Sequence, residues 1–170
     1  MSAAHRYLVA LGSNRRHHRH GAPARVLVAA TAALEAAGIT VVARAPVIAS
    51  APLGPSHRRY ANSAVVVATA LDPPALLAEL KRIERAFGRR PRGRRWGARV
   101  LDLDVILWSG GAWHSPGLTV PHVAFRQRSF VLGPARAIAP AWRDPLTGLS
   151  VRQLAARQCG VRLTAARRLP

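Results

Sequence analysis

The run "RVLDLDVILW" over residues 99–108 constrains this chain more than any other stretch. Apolar and acidic residues alternate with a period of two, the signature of a strand with two unlike faces. Asp102 and Asp104 then share one face, while Leu101, Leu103, Val105 and Leu107 point the other way into a core. At a rise of about 3.3 Å per residue, the two aspartate α-carbons stand about 6.5–7 Å apart. Two carboxylates at that spacing repel, and partial burial sharpens the repulsion. The strand therefore needs something cationic to complete it. That is a costly use of acid in a chain with only seven Asp and Glu among 170 residues.

The rest of the composition is strongly basic, with a formal net charge of +19. Such a charge favours anionic partners, whether nucleic acid, phosphorylated metabolites or an anionic membrane. It also reflects a general bias toward Ala, Arg, Gly and Pro, with Lys81 as the one lysine, so charge alone selects none of these. The apolar fraction of 49% suits a packed globular fold and argues against wholesale disorder. One cysteine, Cys159, excludes an intramolecular disulfide and a cysteine-rich zinc site. No apolar run reaches the eighteen or so residues of a membrane helix. The opening "MSAAHRYLVALGSN" runs into a strand pattern and not a leader pattern, so the cytoplasm is the expected location.

Strand and helix patterns alternate along the chain. "HRYLVALGS" (5–13) reads as a buried strand, followed by a basic loop "RRHHRHG" (15–21). Residues 22–38 are Ala-rich, with Val26, Val28, Leu34 and Ala37 at helical spacing and Gly38 as a stop. "ITVVARAPVIAS" (39–50) is a β-branched strand broken by Pro46, 51–59 a Pro/Gly loop, and "YANSAVVVATAL" (60–71) a further strand. A helix follows, capped by Asp72, with Pro73 in its first turn and Gly88 at its end. Its apolar stripe is Leu76, Leu80, Ile83 and Phe87. After the 99–108 strand, "GLTVPH" (117–122) predicts a short strand, 128–139 a helix weakened by Gly133-Pro134, and the tail from Val151 a short basic helix. The order strand, helix, strand, strand, helix, strand is the βαββαβ pattern of a ferredoxin-like α+β fold. The antiparallel sheet is expected to be covered by helices in a single domain spanning 1–170, with a core of about 6–155.

Two cations could complete the aspartate pair. One is arginine: Arg89, Arg92, Arg94, Arg95 and Arg99 crowd the loop just before it, with Gly88, Pro91 and Gly93. The other is magnesium, usually held by one or two carboxylates together with substrate phosphates. Two aspartates and a triphosphate could bracket two ions, an arrangement suited to in-line displacement at phosphorus. Guanidinium groups give bidentate hydrogen bonds to phosphate oxygens. Trp96 in the same loop could stack on a flat heterocycle or shield the hinge.

Four separated motifs, "LGSN", "APLG…YANSAV", "GRR…RRWGARVLDLDVIL" and "LTVPHVAFRQRSFVL", resemble the 6-hydroxymethyl-7,8-dihydropterin pyrophosphokinase family, in order, from residue 6 to about 155. The resemblance implies transfer of diphosphate from ATP to the pterin's hydroxymethyl oxygen, releasing AMP, in folate biosynthesis. It implies that Asp102 and Asp104 bind two Mg2+ ions and act catalytically with Arg89 and Arg99. It places Pro52, Leu53, Gly54, Tyr60, Asn62, Trp96 and Phe130, with Asp102, around the pterin. It places Glu84, Arg95, Val105, Thr119, His122 and Arg128 on the ATP side. Aromatic rings sandwiching a flat bicycle, and an amide meeting both donors and acceptors on its edge, make physical sense of the pterin set. Departures from the family pattern are Pro91 where a second arginine often stands, Ala98 in place of a proline, and Val123 after the histidine.

Two other functions stay open on the sequence alone. The charge admits a nucleic-acid-binding module, although "YANSAVVVA" offers only one strand aromatic for stacking bases, so nucleic acid is not the expected partner. Pro91 and the odd 15–21 loop admit a pterin-binding pseudoenzyme. No membrane partner is expected, and nothing in the sequence demands an oligomer, so a monomer is the expectation.

Overall fold

The computed structural model describes residues 4–51, 59–88 and 99–166. Its main sheet contains β1 (His5–Ser13), β2 (Thr40–Arg44), β3 (Ile48–Ser50), β4 (Tyr60–Thr69) and β5 (Asp102–Trp108). The strand order is β2-β4-β1-β5, all antiparallel, with β3 also beside β4. Strands β2 and β3 are one pattern cut at Pro46. Each pairs with β4, and Ala45 keeps contact between them by donating its N–H to Ala64 O at 2.9 Å. Helices α1 (Pro23–Ala36) and α2 (Pro73–Ala86) supply the two α elements of the βαββαβ order.

Alternation along β1 and β4 divides the core into two layers. Tyr7, Val9, Leu11, Val65 and Val67 pack with Val26, Leu34, Leu76, Leu80 and Ile83 of α1 and α2. Leu8, Val66, Ile106 and Leu107 pack on the other face with Phe125, Leu132 and Leu154. The helices there are α3 (Ser129–Ile138) and α4 (Val151–Ala166). Each fully buried Leu, Ile or Val contributes about 1.5–3 kcal/mol of burial. The α2 start is fixed as the sequence implies: Asp72 Oδ1 accepts from Ala75 N at 2.9 Å, a cap worth about 1 kcal/mol. Its end turns at Gly88, whose φ of 88° favours a residue without a Cβ.

The structure corrects three details. Val28 lies 52% exposed, and the buried stripe of α1 runs through Val26, Leu27, Ala30, Thr31 and Leu34. Val28 is two residues from Val26, which at 100° per residue puts it on the far side of the helix. Leu107 does not share the Leu103 and Val105 face. The β1–β5 register jumps from Val9↔Val105 to Leu8↔Leu107, so Ile106 is an extra residue and the alternation resets after it. The strand itself begins at Asp102, not Arg99. The 117–122 strand is real but stands apart from the main sheet. As β7 (Leu118–Val120) it pairs with β6 (Trp113–Ser115), a three-residue strand too short to read from sequence.

Candidate active site

The register across the three central strands builds the floor. Gly12 on β1 pairs with Asp102 on β5 and Asn62 on β4, and Ala10 pairs with Asp104 and Ala64. All of these face the α3 side of the sheet. Toward one end of that face, Leu8, Val66 and Leu107 disappear under α3 and α4. Toward the other end the middle strand offers only Ala10 and Gly12, and the low floor between Asn62 and the two aspartates becomes a cleft of ≈ 470 Å³. Asp102 and Asp104 therefore do project side by side into open space.

Other walls come from distant parts of the chain. Tyr60 and Asn62 line the β4 side, and Arg128 and Phe130 come from the start of α3. Arg99 and His122 stand at the aspartate side. Asn62 is nearly fully buried, and its Nδ2 donates to Ser50 Oγ at 2.7 Å. The Arg128 guanidinium lies over the Phe130 ring, 5.9 Å from its centroid.

Electrostatics single out Asp104. Burial raises its pKa above the ordinary carboxylate range, and the neighbouring Asp102 charge raises it further; His122, Lys81 and Arg128 pull it back. Asp102 is better compensated, with Arg99 Nη1 donating to its Oδ1 at 2.8 Å. Arg99 is itself pinned by its backbone: its N–H donates to Asn14 Oδ1 at 2.7 Å, and its carbonyl accepts from Asn14 N at 3.1 Å. Burial lowers the pKa of His122 while Asp104 pulls it up. His122 is held in place by its backbone N–H to Ile106 O at 3.1 Å and by Ala124 N donating to its Nδ1 at 3.2 Å.

A second cavity of ≈ 480 Å³ adjoins the first, and Asp104 and His122 wall both. Its remaining lining includes Val105, Lys81 and the β6–β7 hairpin, where Thr119 Oγ1 and His114 Nδ1 sit 3.1 Å apart. Among the described residues no group of three or more His, Cys, Asp or Glu could hold a metal ion. A divalent cation at the two carboxylates would need other oxygens from a ligand, as phosphate-bound magnesium does.

The sequence-derived site residues fall into three groups. Tyr60, Asn62, Arg99, Asp102, Asp104, His122, Arg128 and Phe130 meet at the first cleft, and Val105 and Thr119 line the second with Asp104 and His122. Glu84 lines neither. It is fully buried behind β5, where its Oε1 accepts from Leu103 N at 2.7 Å and Lys81 Nζ at 2.9 Å, tying α2 to the strand. Pro52, Leu53, Gly54, Arg89, Arg95 and Trp96 lie outside the described residues. Sequence reading missed Ser50, Lys81, His114 and Asn14. Only Asn14 carried a signal, as the last residue of "LGSN"; the others come to the site by strand pairing or helix docking.

Fold and site together describe an α+β domain with a paired-carboxylate cleft opening beside a second cavity. The model of the 7,8-dihydro-6-hydroxymethylpterin-pyrophosphokinase (HPPK) family matches residues 8–140, and the chain belongs to that family. It is 40% identical over 137 residues to the 2-amino-4-hydroxy-6-hydroxymethyldihydropteridine pyrophosphokinase of Methylorubrum extorquens, covering 79% of this chain and 83% of the relative. It is 41% identical over 118 residues to the enzyme of the same name from Synechocystis, covering 69% of this chain and 60% of the relative. The crystal structure of Plasmodium falciparum HPPK-DHPS matches in fold, with a TM-score of 0.73 over 99% of this chain at 11% identity. The match takes in 45% of that longer chain.

Proposed function

We propose that this chain transfers diphosphate from ATP to the hydroxymethyl group of 6-hydroxymethyl-7,8-dihydropterin, giving AMP and the pterin diphosphate for folate synthesis. The observation that supports this best is the shared wall: Asp104 and His122 border two cavities of similar size, one for each substrate. The pterin suits the first cleft, with Tyr60 and Phe130 offering ring faces and Asn62 an amide to its edge. ATP suits the second, with Val105 and Thr119 on its base and sugar side and the phosphates running toward Asp104 and His122.

In the reaction the hydroxymethyl oxygen releases its proton and bonds to the β-phosphorus, the bond from that phosphorus to the oxygen it shares with the α-phosphate breaks, and AMP departs with that oxygen. The protein's task is to place these atoms in line and to stabilise phosphate charge. Arg99 and Arg128 supply guanidinium groups at the cleft, and Arg89 and Arg95 are assigned to the same task. Asp102 and Asp104 are the residues that would hold two Mg2+ ions, since both face the cleft and Asp104 lies where a cation relieves like charge. Bound there, the metal would neutralise charge on the phosphates. The whole chain is taken as one pyrophosphokinase unit acting as a monomer. An ATP-consuming biosynthetic step fits the cytoplasm.

The test is product analysis with ATP, Mg2+ and the hydroxymethyl pterin. Equal amounts of AMP and pterin diphosphate are expected. Release of ADP, or pterin binding without any AMP, would overturn the reading, the second outcome leaving a binding protein.

A further inference from the structure

Lys81 is the only lysine in a chain whose other basic side chains of this type are all arginine. It stands on α2, one turn before Glu84, and its Nζ donates to Glu84 Oε1 at 2.9 Å and lies 3.4 Å from Leu103 O. The same Glu84 oxygen accepts from Leu103 N at 2.7 Å. The ammonium is thus seated on the backbone of the residue between the two aspartates. Exposed ion pairs of this spacing hold loosely, but here one partner is fully buried and fixed by a backbone N–H. Glu84 acts as an anchor that sets where the cation sits.

An ammonium has three N–H donors. Glu84 and Leu103 engage two of them, and the side chain, 36% exposed, borders the second cavity beside Asp104, Thr119 and His122. We infer that Lys81 binds the nucleotide's phosphate chain, as a cation held at the boundary between the second cavity and the aspartates. A compact, rotatable ammonium suits this position: it donates to a phosphate as a point charge, where a planar guanidinium would demand bidentate geometry. Its charge also tempers the raised pKa of Asp104, together with His122 and Arg128. This assignment rests on the second cavity taking the nucleotide, and it gives Glu84 a positioning role through Lys81.

The single lysine makes the test direct. Among the amines of the chain trinitrobenzenesulfonate can modify only the Lys81 ε-amine and the N-terminal amine, and peptide mapping separates these two from each other and from the Cys159 thiol. Saturating α,β-methylene-ATP with Mg2+ is expected to slow modification of Lys81 at least about tenfold and leave the N-terminal amine unchanged, while the pterin alone leaves both unchanged. Calorimetry on Lys81→Gln is expected to give an analogue Kd raised about tenfold with pterin affinity kept, and Lys81→Arg a partial return. If lysine merely neutralised Glu84, the double variant Lys81→Gln/Glu84→Gln would regain nucleotide affinity; that result, or unprotected Lys81 in a chain that binds the analogue, overturns the inference alone. Wild-type chain that binds no analogue overturns the nucleotide reading of the cavity and this inference with it.

Discussion

Two acidic residues of this molecule, Asp144 and Asp104, sit in opposite circumstances. Asp144 is fully buried, and its oxygens are taken: Arg126 donates to both at 2.7 and 2.8 Å, and Thr147 Oγ1 and Leu146 N add 2.6 and 3.1 Å bonds. Burial alone would raise its pKa, but these donors outweigh it and hold the value below the ordinary carboxylate range. Asp104 is pushed the other way, up, by burial and by Asp102, with cations close by but none closing on it to the same degree. Asp144 ties the loop after α3 together. Asp104 faces two cavities with its charge under-compensated. A satisfied carboxylate holds the fold, and an under-compensated one stands at the wall of the clefts.

Substitutions should separate these roles. Asp104→Ala is expected to reduce AMP formation by about a thousandfold or more with an unchanged or raised melting temperature, read by steady-state kinetics and calorimetry. Activity near wild type would erase the distinction. Asp144→Ala is expected to cost about 3 kcal/mol of stability, measured by urea unfolding, while turnover per folded molecule stays close to wild type.

The pH dependence should have opposite signs. Asp144 binds its proton less tightly folded than unfolded, so its stabilisation is present above the ordinary carboxylate pKa and fades as pH falls through the depressed folded value. Asp104 binds its proton more tightly folded, so what it contributes is present in acid and lost as pH rises through the raised value. Unfolding curves of Asp144→Asn and Asp104→Asn across acid pH should therefore tilt in opposite directions against wild type; parallel curves would break the contrast.

Tyr7 extends the closed class to the alkaline side. Its Oη donates to Leu71 O at 2.7 Å, and burial, then Asp72, raise its pKa from 10.0 to about 12. Its stabilisation is whole below pH 10 and lost between 10 and 12, so Tyr7→Phe should flatten alkaline unfolding in that window. The smallest effect is expected at His17. Its Nδ1 accepts from Arg19 and His20 N–H groups, and burial, with His18, His20 and Arg19, lowers its pKa. Acid below its ordinary value should speed exchange of the His17 and Gly21 amides, which bond each other's carbonyls at 2.9 and 2.8 Å, without affecting β1.

Much of this was legible from local pattern. The period-two run around Leu103 put both aspartates on one face, and the cap at Asp72 and stop at Gly88 delimited α2. Pattern failed where a non-local event intervened. The extra residue at Ile106 reversed Leu107, and docking of α2 on β5 turned Glu84 away from the clefts and brought Lys81 to the edge of one.

The amino-acid order by itself determined the alternation of strands and helices, the paired acids and the family motifs, because periodicity and capping act over a few neighbouring residues. Only the tertiary structure decided that Gly12 and Ala10 lie opposite those acids and leave the floor low. Strand register joins residues about ninety positions apart, and no local pattern encodes which small residue will meet which carboxylate.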